Sequence, residues 1–140
     1  MKILVAADGS PYSKRMLAYL AAHDEWLGAQ HAYTVVTVVA PLPARAAAAL
    51  PKDVLKAHHE EEAERVLKPI RTFFARQGLS VDFVAKIGPV ADSIAAMADK
   101  GRFDLLMMGS HGHGSLGNLV LGSVATKVMA QCRTPVLLVR

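Results

Sequence analysis

The stretch LLMMGSHGHGSLGNLVLGS, residues 105–123, joins an apolar run to a glycine-rich segment, and a helical pattern follows it. Residues 105–108 are continuously apolar, as expected of a strand that is buried on both faces of a sheet. Five glycines then fall within fifteen residues. Glycine serves where the backbone takes a positive φ or approaches a ligand closely. A strand, a glycine-rich loop and a helix in this order predict a loop that binds phosphate at the start of a helix.

The rest of the chain repeats this alternation of short strands and longer helices. Strands are predicted at residues 3–7, 33–39, 81–87, 105–108 and 136–139. The first helix is capped by Ser10 and opened by Pro11, and its predicted core face is Leu17, Leu20, Ala21 and Leu27. The second covers residues 52–77, with a kink at Pro69 and a buried stripe of Leu55, Val66, Ile70 and Phe73. The third and fourth cover residues 89–100 and 119–131.

This order predicts an α/β fold, a doubly wound, Rossmann-like sheet of five parallel strands with helices on both faces. Such sheets bind ligands beyond the carboxyl ends of their strands, where the winding direction reverses. Asp8 follows the first strand and Gly109 follows the fourth. If the reversal falls between those two strands, both residues face one crevice.

Length and composition favour one compact domain over residues 1–140. The chain is 52% hydrophobic and 20% charged, which is typical of a folded soluble protein. The N-terminal residues lack the long apolar core of a secretory signal, and no stretch is long enough to span a membrane, so we expect a cytoplasmic protein with no membrane partner. The single cysteine, Cys132, is expected to be a buried structural thiol. The basic residues are dispersed and do not suggest a nucleic-acid surface.

Three phosphate-binding motifs can be excluded. No lysine follows the glycines as the Walker motif requires. Gly112, Gly114 and Gly117 match G-x-G-x-x-G, but in dinucleotide folds that motif follows the first strand, and an acidic ribose ligand must come later. No acidic residue follows Asp104, so NAD is excluded. The H-x-G-H motif of nucleotidyl transferases also fails, because the chain reads His-Gly-His-Gly at residues 111–114.

A fourth pattern fits at every defined position. Gly109, Gly112 and the pair Gly122-Ser123 resemble the G-2x-G-9x-G-[ST] signature of the ATP-binding branch of the universal stress protein family. The segments VAADGSPYS, GPVADSI and TPVLLVR resemble their family counterparts in the same order over essentially the whole chain.

The resemblance implies an adenine-nucleotide site. Its glycines would let the backbone wrap the ligand, Ser123 would donate to phosphate oxygens, the backbone near Val38 would meet the adenine, and Asp8 would contact the nucleoside or help Mg²⁺ or Mn²⁺. The implied nucleotide-binding residues are Ala7, Asp8, Val38, Met108, Gly109, Ser110, His111, Gly112, His113, Gly114, Gly122, Ser123 and Val124. Gly114 and Gly117 are expected to tolerate substitution better than Gly109, Gly112 and Gly122. The sequence leaves open whether ATP, AMP or another adenine nucleotide is preferred.

The resemblance also implies a homodimer formed through the last strand segment, which begins at Pro135 and ends at Arg140. The expected role is a regulatory stress-response protein, with no catalytic residue and at most slow ATP hydrolysis. Two alternatives stay open at this point: an adenylyl- or phosphoryl-transferring enzyme of related fold, and a nucleotide-free stress scaffold. The histidine pairs at residues 58–59 and 111–113 have no third ligand at a suitable spacing, so no protein-only metal site is predicted.

Overall fold

The computed structural model describes residues 1–114, 118 and 120–140. In chain order the elements are β1 (Lys2–Ala6), α1 (Pro11–Ala22), α2 (Asp24–Leu27), β2 (Ala32–Val39), α3 (Ala44–Ala48), α4 (Lys52–Arg76), β3 (Val81–Ile87), α5 (Val90–Lys100), β4 (Leu105–Gly109), α6 (Ser123–Gln131) and β5 (Val136–Val139).

The five strands form one parallel sheet in the order β3-β2-β1-β4-β5. This confirms the predicted doubly wound fold. The chain winds outward from β1 through β2 to β3, and then returns to the other side of β1 for β4 and β5. Ala6 pairs with Val36 on one side and with Met108 on the other. The reversal therefore lies between β1 and β4, so the loops that follow both strands share one edge of the sheet.

Alternate side chains of the central strands feed two separate cores, because successive residues of a strand point to opposite faces. One core combines β1, β2 and β4 with helices α1 and α4, and includes Ile3, Val5, Met16, Leu20, Val35, Leu67, Phe74 and Met107. The other combines the same strands with helices α5 and α6, and includes Leu4, Ala6, Val36, Ile94, Ala98, Leu106, Met108, Ala125 and Val128. Both faces of the sheet are thus covered, which explains the continuously apolar strands.

The first helix ends earlier than its apolar pattern suggested. Ser10 caps α1 and Pro11 opens it, as predicted, but the helix stops at Ala22. His23 leaves the helical conformation at φ −127° and ψ 47°, and its Nδ1 lies 2.8 Å from the carbonyl oxygen of Tyr19. The chain re-enters a short helix, α2, and buries Leu27 completely. A side-chain bond to the last turn thus separates two helices that the sequence presents as one.

The buried stripe of α4 differs from the predicted one. The helix runs through Pro69 to Arg76, and its buried residues are His59, Ala63, Leu67, Ile70 and Phe74. Val66 and Phe73 are only partly buried, at the margin of the core. Apolar residues stand side by side at positions 66–67 and 73–74, so hydrophobicity alone does not select the buried member of each pair. The orientation of the whole helix on β2 and β3 makes that selection.

One further boundary was wrong, and one short helix was missed. The predicted helix 119–131 begins at Ser123 instead, because Gly122 is extended at φ −69° and ψ 162°. Leu119 itself lies outside the described residues. The segment between β2 and α4 contains an additional short helix, α3, which the sequence analysis missed. It buries none of its residues, so no apolar periodicity marks it.

Asp99, at the end of α5, holds the turn that leads into β5. Its carboxylate accepts hydrogen bonds from the backbone N–H of Arg133 and from both the N–H and the hydroxyl of Thr134. The bond from Arg133 and those from Thr134 hold the pKa of Asp99 below its ordinary value. The half-buried Cys132 lies in the same turn, and burial raises the pKa of its thiol. The sequence predicts a buried thiol at this position, but Cys132 is only partly buried.

Candidate functional site

A cavity of about 600 Å³ opens at the carboxyl ends of β1, β2 and β4. It lies on the face of the sheet that α5 and α6 cover. Its lining residues are Ala6, Ala7, Asp8, Ser13, Val36, Val38, Ala40, Val90, Ile94, Met108, Gly109, His111, Gly112, His113, Gly114, Gly122, Ser123, Val124 and Ala125. The walls toward β2 and α5 are aliphatic, whereas the glycine-rich loop and the start of α6 present mainly backbone. The cavity therefore offers an apolar compartment beside a polar one.

The apolar compartment contains main-chain hydrogen-bonding groups from the end of β2. β1 pairs with β2 only as far as Val36, whose carbonyl oxygen accepts a bond from the N–H of Ala7 at 3.0 Å. Residues two apart in a strand direct their N–H and C=O groups to the same side, so those of Val38 also point toward β1. β1 has ended at that level. The donor and the acceptor of Val38 are thus directed toward the crevice, as the edge of a nucleobase would require.

Asp8 is held rigidly at the centre of the site. Its Oδ1 accepts hydrogen bonds from the N–H of Ser10 at 2.9 Å and from the hydroxyl of Ser13 at 2.8 Å. Burial raises the pKa of Asp8, but the hydrogen bonds from Ser10 and Ser13 and the proximity of His113 lower it by more. The pKa of the carboxyl therefore lies below its ordinary value, and the side chain is an anion at neutral pH.

The three signature glycines are required by close contacts within the protein. A Cβ added at Gly109 would lie 2.7 Å from the Cβ of Tyr12, and one at Gly112 would lie 2.7 Å from Oδ2 of Asp8. A Cβ at Gly122 would lie 3.0 Å from the Cα of His111. None of the three has a positive φ. Their spacing thus allows the loop, the Asp8 turn and the start of α6 to pack against one another around the cavity.

Ser110 ties these parts together from behind the cavity. Its carbonyl oxygen accepts the N–H of Gly122 at 2.8 Å, and its own N–H donates to the carbonyl oxygen of Val139 at 2.8 Å. Its hydroxyl lies 2.8 Å from Nδ1 of His111. Ser110 is almost completely buried. Ser110 therefore supports the loop from behind. It does not line the cavity, although the family resemblance implied a nucleotide-binding role for it.

Helix α6 begins at the polar end of the cavity without a side-chain cap. The first intrahelical bond joins the N–H of Thr126 to the carbonyl oxygen of Gly122. The N–H groups of Ser123, Val124 and Ala125 precede that bond, and the positive end of the helix dipole lies there. In the described part of the chain, no lysine or arginine lines the cavity. Backbone amides are thus the principal groups available for an anion.

Two histidines belong to the loop. The ring of His111 lies beside that of Tyr12, with centroids 4.8 Å apart. His113 places Nε2 2.8 Å from the carbonyl oxygen of Asp8. The next residue, Gly114, has φ +71°, a conformation that L side chains rarely adopt. Substitution of Gly114 would therefore be strained by its backbone conformation, although an added Cβ would meet no atom within 4 Å there, in contrast to the signature glycines. Gly117 lies outside the described residues.

The structure brings twelve of the thirteen implied residues to this one cavity, all except Ser110. Sequence reasoning missed a set of further lining residues: Ala6, Ser13, Val36, Ala40, Val90, Ile94 and Ala125. Ala6 and Ala125 adjoin identified positions, and Val36 and Ala40 lie two residues from Val38. The others come from α1 and from α5, and only the packing of these helices brings them to the cavity.

The described residues contain no group of three or more His, Cys, Asp or Glu side chains placed to hold a metal ion. A search of their helices likewise finds none with the length and hydropathy of a membrane span.

Comparison with known proteins identifies the family. The sequence profile of the Universal stress protein family matches residues 1–140. The chain is 34% identical over 139 residues to the universal stress protein in the QAH/OAS sulfhydrylase 3' region of Thermus aquaticus, covering 99% of this chain and 97% of that one. It is 30% identical to the universal stress protein MJ0531 of Methanocaldococcus jannaschii, covering 99% and 81%.

Solved structures agree with this assignment. The hypothetical protein MJ0577 of M. jannaschii superposes with a TM-score of 0.82 at 27% identity, covering 99% of this chain and 94% of that one. A universal stress family protein of Arabidopsis thaliana with AMP bound gives a TM-score of 0.70 at 16% identity, covering 99% and 90%. The universal stress protein of Archaeoglobus fulgidus in complex with dAMP gives 0.66 at 22% identity, covering 100% and 98%. On the profile match and the sequence relatives, this chain belongs to the universal stress protein family.

Proposed function

We propose that this chain belongs to the ATP-binding branch of the family and is a regulatory stress-response protein that responds to an adenine nucleotide. The observation that carries the proposal is the single cavity in which an aliphatic compartment adjoins a glycine-rich loop and an uncapped helix start. A nucleotide has the same two-part chemistry, a flat base and an anionic tail. The AMP and dAMP complexes of the structural neighbours support this choice of ligand class.

The proposed orientation follows from the chemistry of the two compartments. The base lies between Val38 of β2 and the aliphatic residues of α5, where the Val38 amide and carbonyl meet its polar edge. The phosphates lie on the loop 109–114 and on the amides of Ser123 and Val124. Several amides in a row suit a polyphosphate better than a single phosphate, which favours ATP over AMP.

A divalent cation, Mg²⁺ or Mn²⁺, fits the groups present. The ionised carboxylate of Asp8 lines the cavity, and Mg²⁺ is commonly held by one or two carboxylates together with phosphate oxygens. When bound, the ion would neutralise phosphate charge. Asp8 would hold it, and Ser10 and Ser13 would keep that carboxylate oriented and deprotonated.

The proposal extends to the state of the whole protein. We place residues 1–140 in one nucleotide-binding domain, the protein in the cytoplasm, and two copies in a homodimer through residues 135–140. The nucleotide acts as a ligand that biases conformation or partner binding, and hydrolysis is at most slow. Neither a nucleic acid nor a membrane is needed as a partner.

Equilibrium dialysis with labelled ATP and Mg²⁺ tests the site. Ser123→Ala removes a hydroxyl at the start of α6 without adding atoms, and we expect it to weaken binding about fivefold. At Gly122, an added Cβ alone would lie 3.0 Å from the Cα of His111, so the larger side chain of Gly122→Val should abolish detectable binding. Ser80→Ala, an exposed serine in the turn before β3, is the matched control and should bind as the wild type does.

Thermal unfolding of each variant separates loss of the site from loss of the fold. Undiminished ATP binding by a folded Gly122→Val variant would refute the assignment of the loop. Equal losses in Ser123→Ala and Ser80→Ala would refute the assignment of α6. Rapid ATP turnover by the wild type would favour the transferase alternative instead.

A further inference from the structure

The link between His113 and Asp8 joins two loops across the crevice. Nε2 of His113 lies 2.8 Å from the main-chain carbonyl oxygen of a residue 105 positions away. A carbonyl oxygen only accepts hydrogen bonds, so Nε2 must carry the proton and donate. One loop follows β4 and the other follows β1, and both line the cavity. This contact therefore spans the mouth of the site.

The two ends of the link differ in rigidity. On one side, Asp8 is fixed by the bonds that its carboxylate accepts from Ser10 and Ser13. On the other side, His113 stands between Gly112 and Gly114, and glycine loses more backbone entropy on ordering than any other residue. His113 is thus the one side chain within residues 112–114 that can fasten this part of the loop to the rigid side.

We infer that His113 is a positioning residue: its Nε2–H holds the phosphate loop closed against Asp8, and so lengthens the time that a nucleotide stays bound. The inference rests on the proposed function for its ligand, but the closure itself is a property of the free protein. Gly112 approaches Asp8 so closely that an added Cβ would lie 2.7 Å from Oδ2, and the His113 link maintains that approach. A loop that is ordered before binding spares the ligand the entropic cost of ordering it.

Three substitutions test the geometry of the donor. The side-chain amide of Gln places its nitrogen near the position of Nε2, whereas that of Asn falls one methylene short. His113→Gln should therefore keep the link, and His113→Asn and His113→Ala should break it. All three change an exposed side chain, so each should leave the global unfolding free energy nearly unchanged.

Hydrogen exchange of the ligand-free protein gives the first readout. In His113→Ala and His113→Asn we expect the amides of Gly112 and Gly114 to exchange about fivefold faster than in the wild type, and His113→Gln to restore the wild-type rate. The amides of α5 are the internal control. Unchanged exchange in His113→Ala, or equal rescue by Asn and Gln, would overturn the inference.

Dissociation of Mg²⁺ and a fluorescent ATP analogue gives the second readout. The Ala and Asn variants should release the nucleotide about fivefold faster, with the Gln variant close to the wild type. If the wild type binds no nucleotide, the proposed function fails while the exchange experiment still decides whether the link closes the loop. If nucleotide release is the same in all four proteins, the role in residence time is refuted and the proposed function stands.

Discussion

The phenol of Tyr33, at the start of β2, is a single buried group that fixes the end of α2. Its hydroxyl donates to the carbonyl oxygens of Leu27 and Gly28, and the residue is only 2% exposed. Tyr33→Phe should lower the free energy of unfolding by about 1 kcal/mol near neutral pH, as expected for the loss of one such bond. Urea denaturation measures this. Tyr19→Phe is a matched control, because its hydroxyl makes no hydrogen bond within the described residues.

The same residue predicts a dependence on alkaline pH. Burial raises the pKa of Tyr33 to about 12, from an ordinary value of 10.0. The unfolded chain therefore loses this proton first, and the stabilisation that is complete below pH 10 declines as pH rises toward 12. The stability difference between wild type and Tyr33→Phe should shrink over that interval. A difference that stays constant or grows would contradict the proposed environment of the phenol.

Single residues of the site differed in how well the sequence predicted them. Gly109, Gly112 and Gly122 were identified because a motif fixes their spacing, and Asp8 because it follows the first strand. The structure places all four at the cavity. The sequence explained the three glycines by close approach of the backbone to a ligand. In the structure, atoms of the protein itself lie where each side chain would be. The positive φ of Gly114 was not foreseen, because it leaves no trace in a motif that omits the position.

At the scale of elements, β5 is an edge strand of the sheet, and its backbone groups point alternately toward β4 and away from the sheet. The carbonyl oxygens of Pro135 and Val139 accept bonds from the β4 side, so alternation directs the N–H and C=O groups of Val136 and Leu138 outward. These outward groups could pair with a second copy, in keeping with the proposed homodimer. Leu138→Pro removes one outward N–H and spares those that face β4.

We expect the wild type to sediment as a dimer and Leu138→Pro as a monomer. Leu138→Ala is the control for the lost packing of Leu138 against the α5–α6 core, and it should remain dimeric. A dimeric, folded Leu138→Pro variant would show that residues 135–140 do not form the interface.

Element types were easier to predict than element limits. Each end of the five strands was located within one residue, because a run of apolar residues bounded by turns has few other interpretations. The break at His23 was missed, because it depends on a side-chain bond to Tyr19 that opposes the apolar pattern. The buried face of α4 differs from the predicted one, because packing on β2 and β3 determines which side of the helix is buried and the sequence of α4 alone does not.

At the scale of the whole molecule, the order of the strands determines where the candidate site forms. The sequence predicts a crevice if the reversal of winding falls between the first and fourth strands, and the reversal lies there. The parts of the site that come from the sheet and the motif were therefore predictable. The apolar wall from α5 was not, because Val90 and Ile94 reach the cavity only through the packing of α5 against β2 and α6.

The absence of lysine and arginine from the described cavity lining predicts how binding responds to salt. Long-range attraction between charges is screened by added ions, whereas short hydrogen bonds from backbone amides are affected much less. We expect ATP affinity at fixed Mg²⁺ to fall less than about threefold between roughly 0.05 and 0.5 M NaCl. A loss of tenfold or more, reduced by Lys127→Gln, would show that the exposed lysine on α6 engages the phosphates instead.

If neutral amides hold the ligand, the occupancy of the site would depend on the nucleotide concentration and hardly on the salt concentration. When a cell loses water or takes up ions, its salt concentration rises and would weaken binding at a site built on cationic side chains. Such a site would then release nucleotide even at an unchanged nucleotide concentration. The amide-lined crevice would instead follow the nucleotide pool through an osmotic upshift, and so would keep energy status separate from ionic conditions.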